Sequence, residues 1–175
     1  MKKGFTLIEL VIVIGILAIL ATVVVLVLNP AQMLAQARDS QRMSDLGTIK
    51  SAIALYLATA NSPTIGAGPT CTATCTQNPF SGTETVTTST VVTGAGWVKV
   101  DLSGTTGGSP LATLPLDPTN NDSYHYAYAG NDSAKTFELN ARLESEKYLG
   151  LMANEKDGGN NANYYEIGTE PGLDL

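Results

Sequence analysis

The residues able to do chemistry are few and unevenly placed. Glu9 is the only charge between Phe5 and Leu28, in a run that is otherwise almost wholly apolar. A charged side chain in a membrane-spanning helix costs about 2.5–3.5 kcal/mol on insertion scales, so a carboxylate there marks a functional position by default. Cys71 and Cys75 stand in Cys-Thr-Ala-Thr-Cys. In an exported domain the pair suits a small-loop disulfide; in a reducing compartment it reads as two free thiols on a surface loop. A metal site at these cysteines is disfavoured, because the single histidine, His125, is remote in sequence and there is no second Cys pair. The segment Asn154-Glu155-Lys156-Asp157-Gly158-Gly159-Asn160-Asn161-Ala162-Asn163 gathers carboxylate and amide oxygens around glycines. Such oxygens suit calcium, with Asp157 the best candidate ligand, although the spacing is not that of an EF-hand and Lys156 sits inside it. The same composition also reads as plain turns. Nowhere do a nucleophile, a base and an orienting group occur together, and no Gly-rich phosphate loop follows a strand, so enzymatic activity is not expected.

The elements that must carry these residues follow from hydropathy and punctuation. Phe5–Leu28 is 24 residues, about 36 Å as a helix, against a hydrocarbon core of about 30 Å. It is longer than the apolar region of a secretory signal, and no clear Ala-x-Ala site ends it. Lys2 and Lys3 precede it, which leaves the N-terminus cytoplasmic and exports the rest. Gly15, Ala18 and Thr22 form a narrow small-residue face, suited to close helix approach or fortuitous in an Ala-rich run. Asn29-Pro30 ends the run, with Asn29 placed to cap a restarted helix.

Ala31 to Ala60 is helical in character, with Leu46, Ile49, Ile53 and Leu57 as one apolar stripe. Arg38, Asp39, Arg42, Asp45 and Lys50 are expected to cover much of the remaining surface. Asn61-Ser62-Pro63 stops the helix, and residues 61–82 read as a loop. Residues 83–93 are weakly strand-like. Trp97–Leu102 alternates, with Val98, Val100 and Leu102 on one face. Ser123–Ala129 alternates again, placing Tyr124, Tyr126 and Tyr128 together, either as a binding stripe or, as alternation favours, as core. Phe137–Leu143 is the clearest strand. The expectation is an α+β fold with three or four antiparallel strands against the amphipathic helix.

Lys2-Lys3-Gly4-Phe5-Thr6-Leu7-Ile8-Glu9 resembles the prepilin cleavage and methylation signal of type IV pilins and type II secretion pseudopilins. The resemblance implies that a prepilin peptidase cuts between Gly4 and Phe5 and then N-methylates Phe5. It further implies a pilin-like organisation. Residues 1–4 would be a leader, 5–29 a transmembrane and filament-core helix, 30–60 its amphipathic half, and 61–175 a globular head. The implied partners are the peptidase, the membrane, an assembly platform protein, and copies of the chain or other pilins in a helical filament.

Spacing then gives Glu9 a task. A freed Phe5 amine lies one helical turn from Glu9 on the same face, and the helix dipole favours a carboxylate there. In a filament core both charges would be costly unpaired, so pairing within or between subunits is favoured; the resemblance implies the intersubunit version. A carboxylate that merely reaches the headgroups is the plainer alternative.

Leu114-Pro115-Leu116-Asp117-Pro118 before Tyr-x-Tyr resembles a stretch of the major pseudopilins of type II secretion and of related short pilins, and major pseudopilins also carry a C-terminal calcium loop; otherwise it is an Asp-Pro turn. Asn121-Asp122-Ser123 and Asn131-Asp132-Ser133 match the glycosylation acceptor pattern, and a prokaryotic leader makes both fortuitous. After Leu28 eight Lys or Arg face fifteen Asp or Glu, so direct nucleic-acid binding is disfavoured. The expected role is a subunit of a pilus-like filament at the cell surface. The alternatives are a pseudopilin of a periplasmic secretion filament and a membrane-anchored protein that never assembles.

Overall fold

Two helices joined at Asn29 lead into a five-stranded sheet. The computed structural model describes residues 4–76 and 79–175; Lys2 and Lys3 of the leader lie outside the described residues. Helix α1 spans Leu7–Leu28 and helix α2 spans Pro30–Thr59. Asn29 sits between them at φ 41°, left-handed, a conformation that Asn tolerates better than most residues. Its Oδ1 accepts from the Gln32 N–H at 3.4 Å, and Pro30 occupies the first turn, where its missing donor is not needed.

The sheet holds β1 (Gly68–Cys71), β2 (Thr85–Val86), β3 (Tyr126–Asn131), β4 (Thr136–Ala141) and β5 (Tyr165–Gly168), in the spatial order β2-β1-β3-β4-β5. All pairs are antiparallel except β1 with β2. The architecture is therefore α+β and pilin-like, with two departures from expectation. The sheet has five strands rather than three or four, because β1 lies inside the Gly/Pro/Cys stretch read as a loop and β5 is a four-residue piece near the C-terminus. Trp97–Leu102 is not a strand. Its alternation is real, since Val98, Val100 and Leu102 are all fully buried, but its backbone only bends through one bridge, Thr93 to Asp101. Of residues 83–93, only Thr85 and Val86 join the sheet.

One core lies between α2 and the sheet. Leu46, Ile49, Ile53 and Tyr56 meet Tyr126, Tyr128, Phe137, Leu139 and Ala141, with Trp97 filling the space beside them. Full burial of each such apolar side chain stabilises by about 1.5–3 kcal/mol. Tyr126 and Tyr128 are thus core residues, whereas Tyr124 is only half-buried. The Trp97 ring lies 5.7 Å from that of Tyr126, and its Nε1–H donates to the Pro115 carbonyl at 2.9 Å, tying the irregular segment to the sheet. A second, smaller cluster of Cys71, Phe80, Ala127 and Ala129 covers part of the opposite face.

Candidate functional site: the N-terminal helix and its anchorage

Helix α1 is apolar on every side, and its side chains are exposed: Phe5 at 92%, Leu7 at 81%, Ile8 at 66%. Leu7–Val25 is long and apolar enough to cross a membrane. A helix of this kind has no polar face to give to water, so its stable surroundings are lipid or other apolar helices. Its start is built by Thr6 and Glu9. The Glu9 Oε2 accepts from both the N–H and the Oγ1–H of Thr6 at 2.8 Å, and the Glu9 N–H donates to the Thr6 Oγ1 at 3.3 Å. This is a capping box, closing two orphan backbone donors of the first turn. The Thr-x-x-Glu spacing signals it in the sequence, and a reading of Glu9 as an isolated charge overlooks Thr6. The Gly4–Phe5 bond directly precedes this cap, so Glu9 presents its carboxylate at the place where cleavage there would leave an amine. Along the helix, Thr22 donates its hydroxyl to the Ala18 carbonyl at 2.9 Å, which keeps the small-residue face free of unpaired polar atoms.

The head grips α2 through charge as well as through apolar packing. Asp39 and Arg42, expected on the solvent side, lie fully buried. Continuing the Leu46–Ile49–Ile53 stripe toward the N-terminus in steps of three and four reaches Arg42, Asp39 and Ala35, all on the buried face. Arg42 forms a two-point pair with Asp117, Nε to Oδ2 at 2.7 Å and Nη2 to Oδ1 at 3.0 Å, and bonds Asp39 at 2.8 Å and Glu144 at 2.7 Å. Tyr124 stacks its ring 4.9 Å from the Arg42 Cζ. Asp39 also accepts from the Glu144 and Ser145 backbone N–H groups and from the Ser145 hydroxyl. Burial works against the charge of Arg42, but its bonds to Asp117, Glu144 and Asp39 outweigh that and hold the guanidinium above its ordinary range. The bonds from Arg38 and Arg42 hold Glu144 below the usual carboxylate range. Asp117 also accepts from the Thr119 and Asn120 N–H groups, so the turn expected at Asp117-Pro118 is present and its carboxylate does a second job.

The remaining candidates lie on the head, away from α1. Cys71 and Cys75 are joined in a disulfide. A Glu84 oxygen lies within 4.8 Å of both sulfurs; sulfurs bonded to each other offer no thiolate to a metal. Asp157 ends a short helix, α3 (Asn154–Asp157), and accepts through Oδ1 from the Gly159 N–H at 3.1 Å and through Oδ2 from the Glu166 N–H at 3.2 Å. His125 is buried against Tyr164, and burial pushes its imidazole below the ordinary value. In both acceptor-like tripeptides the Asn side chain caps its own turn: Asn121 accepts from Ser123 and Tyr124, Asn131 from Ser133 and Ala134.

Residues 1–25 match the family model of the prokaryotic N-terminal methylation motif. The chain carries a prepilin-type N-terminal signal. No curated protein and no solved structure matches it. The prepilin signal occupies the residues that open α1: Gly4, Phe5, the Thr6–Glu9 cap and the exposed apolar helix behind them. It implies processing by a prepilin peptidase and a membrane-anchored precursor of the pilin or pseudopilin kind. Proteins bearing this signal are structural subunits rather than enzymes.

Proposed function

We propose that the chain is a structural subunit of a type IV pilus-like filament. It enters the inner membrane as a prepilin, is cut after Gly4, is methylated on the Phe5 amine, and polymerises through α1. Its partners are the prepilin peptidase, an assembly platform protein and copies of itself or other pilins. The observation that carries this reading is α1 itself: a helix exposed on all sides, apolar throughout, with Glu9 held at its first turn directly behind the cleavage signal. In lipid the helix is satisfied except for Glu9. In a filament core the Glu9 carboxylate pairs with a Phe5 amine of a neighbour, and the exposed side chains pack on other copies.

Substitution of Glu9 by Ala tests it. Membrane insertion and cleavage are expected to persist, because the apolar run and Gly4 remain, while filaments are lost. Unchanged filaments in that variant would remove the assembly role of Glu9.

A second reading has one observation in its favour. The Leu114–Pro118 stretch is similar to a segment of major pseudopilins, and its Asp117 is the buried partner of Arg42. On that reading the same assembly chemistry builds a short periplasmic filament for protein export. Electron microscopy of sheared cell surfaces separates the two, with long fibres for a pilus and none for a secretion filament.

A further inference from the structure

Cys71 and Cys75 share one neighbouring carboxyl group. The β1–β2 register sets Cys71 against Val86, so Glu84, two residues before Val86, lies on the Cys71 face. A Glu84 oxygen and both sulfurs lie within 4.8 Å of one another, and among the described residues no other carboxylate or imidazole joins them. Both Glu84 oxygens are enclosed and have no hydrogen-bond partner. The two sulfurs differ in access. Cys71 is fully buried in a cluster with Phe80, Ala127 and Ala129, whereas Cys75 is half-buried. The Ala73 carbonyl oxygen stands 3.1 Å from the Cys71 Sγ and 2.7 Å from the Cys75 Sγ.

These surroundings decide how the bridge forms. Thiol–disulfide exchange needs a thiolate as the attacking species. An external oxidant reaches Cys75 but not the enclosed Cys71, so Cys75 reacts first. Cys71 must then ionise in an apolar cluster beside a carbonyl oxygen, and both disfavour a thiolate. A base removes that obstacle, acting from hydrogen-bond distance or through one water. Glu84 lies within that range. Burial pushes it up to about 7, so it takes up and gives back a proton near neutrality. The ionisable groups around it titrate elsewhere. Tyr164 is pushed up to about 12 by burial, with Arg142 as a cation near it. Asp122 is held below the usual carboxylate range by its bonds to Thr76. His125, against Tyr164, is pushed below its ordinary value by burial.

We propose that Glu84 is the internal proton acceptor for closure of the Cys71–Cys75 bridge, with an external disulfide as the oxidant. Cys75 attacks the external disulfide R–S–S–R as its thiolate, forming Cys75–S–S–R and expelling RS⁻, which takes up the Cys75 proton. Cys71 then gives its proton to Glu84 and attacks the Cys75 sulfur. The Cys71–Cys75 bond forms, the Cys75–S–R bond breaks, and the second RS⁻ leaves as a thiol with the proton that Glu84 held. Two cysteine thiols are oxidised, one external disulfide is reduced to two thiols, and Glu84 ends ionised as it began. In the reverse direction, protonated Glu84 supplies the proton to the Cys71 thiolate that a reductant expels.

The test uses the full chain in detergent micelles, reduced with dithiothreitol, freed of it and mixed with glutathione disulfide. Acid quenching, alkylation and mass analysis at intervals follow the glutathione adduct and its conversion into the bridge. The adduct is expected on Cys75. Its conversion should quicken with pH and level off above about 7, where Glu84 is ionised. In Glu84→Gln, which keeps the shape of the side chain, conversion at neutral pH should slow by about a hundredfold and climb with pH without levelling. Glu84→Asp, which keeps the carboxylate, should retain the levelling. An adduct on Cys71 overturns the proposal, as does a Glu84→Gln chain that closes its bridge at the wild-type rate with the wild-type profile. A wild-type rate that climbs about tenfold per pH unit without levelling, as for simple thiol ionisation, overturns it without any variant. Nothing measured depends on assembly, so the filament reading stands or falls separately.

Discussion

Arg42 and Asp117 lie 75 positions apart in the sequence and form a two-point ion pair with no solvent exposure on either side chain. This pair fastens the helix that leaves the membrane to the loop that precedes β3. Breaking a buried pair by removing one partner costs about 3–5 kcal/mol, because the other charge stays behind unpaired. Arg42→Met is expected to lose that much by urea denaturation, and Arg42→Lys part of it, since an ammonium cannot reproduce the fork. A loss below about 1 kcal/mol for Arg42→Met, the range of exposed pairs, would mean that the cluster is not sealed as described.

The Cys71–Cys75 bridge closes a very short loop. In the chain-entropy treatment a bridge over so few residues stabilises by about 2 kcal/mol. The Cys71→Ser, Cys75→Ser double variant is expected to fall by about that amount, with an added penalty for a buried hydroxyl at position 71, where Cys71 is wholly enclosed. Thermal unfolding with and without a reductant checks it, and the variant should be insensitive to the reductant.

Stability should pass through a maximum in the mildly acidic range. Burial pushes Glu84 up to about 7 and Glu166 up to about 8, from an unfolded value of 4.5. Between 4.5 and those values the native state holds protons that the unfolded chain has released, so stability falls as pH rises through the window. Glu144 acts in the opposite sense. Its ion pairs lower its value, and its contribution is lost as pH falls from 4.5 through the folded value. Glu84→Gln should flatten the lower half of the alkaline branch, and Glu144→Gln the acid branch. A profile flat from pH 4 to 8 would contradict both assignments.

Local signals in the sequence sufficed wherever local chemistry decides structure. Asn29-Pro30 and Asn61-Ser62-Pro63 bound α2, and the Tyr and Phe137 alternations mark β3 and β4. The signals failed where a distant partner decides. Gly68–Cys71 becomes a strand only because β3 offers it a ladder. Trp97–Leu102 has strand-like alternation but gains only a single bridge. Asp39 and Arg42 look like surface charges until Asp117 and Glu144, 75 and 102 positions from Arg42, are brought to them. Of the candidate site, Gly4, Phe5 and Glu9 were legible because the signal is contiguous. The placing of Glu84 beside Cys71 and Cys75 was not, because it forms by strand register.

On the proposed function, cleavage leaves Phe5 as the first residue ahead of α1, and self-association buries the helix. Intact-mass analysis of protein recovered from sheared or membrane-extracted filaments decides this. The expected species is a chain beginning at Phe5 and one methyl group heavier than the unmodified sequence, found in filaments. A chain that still begins at Met1, or that begins beyond Leu28 in soluble form, would contradict it.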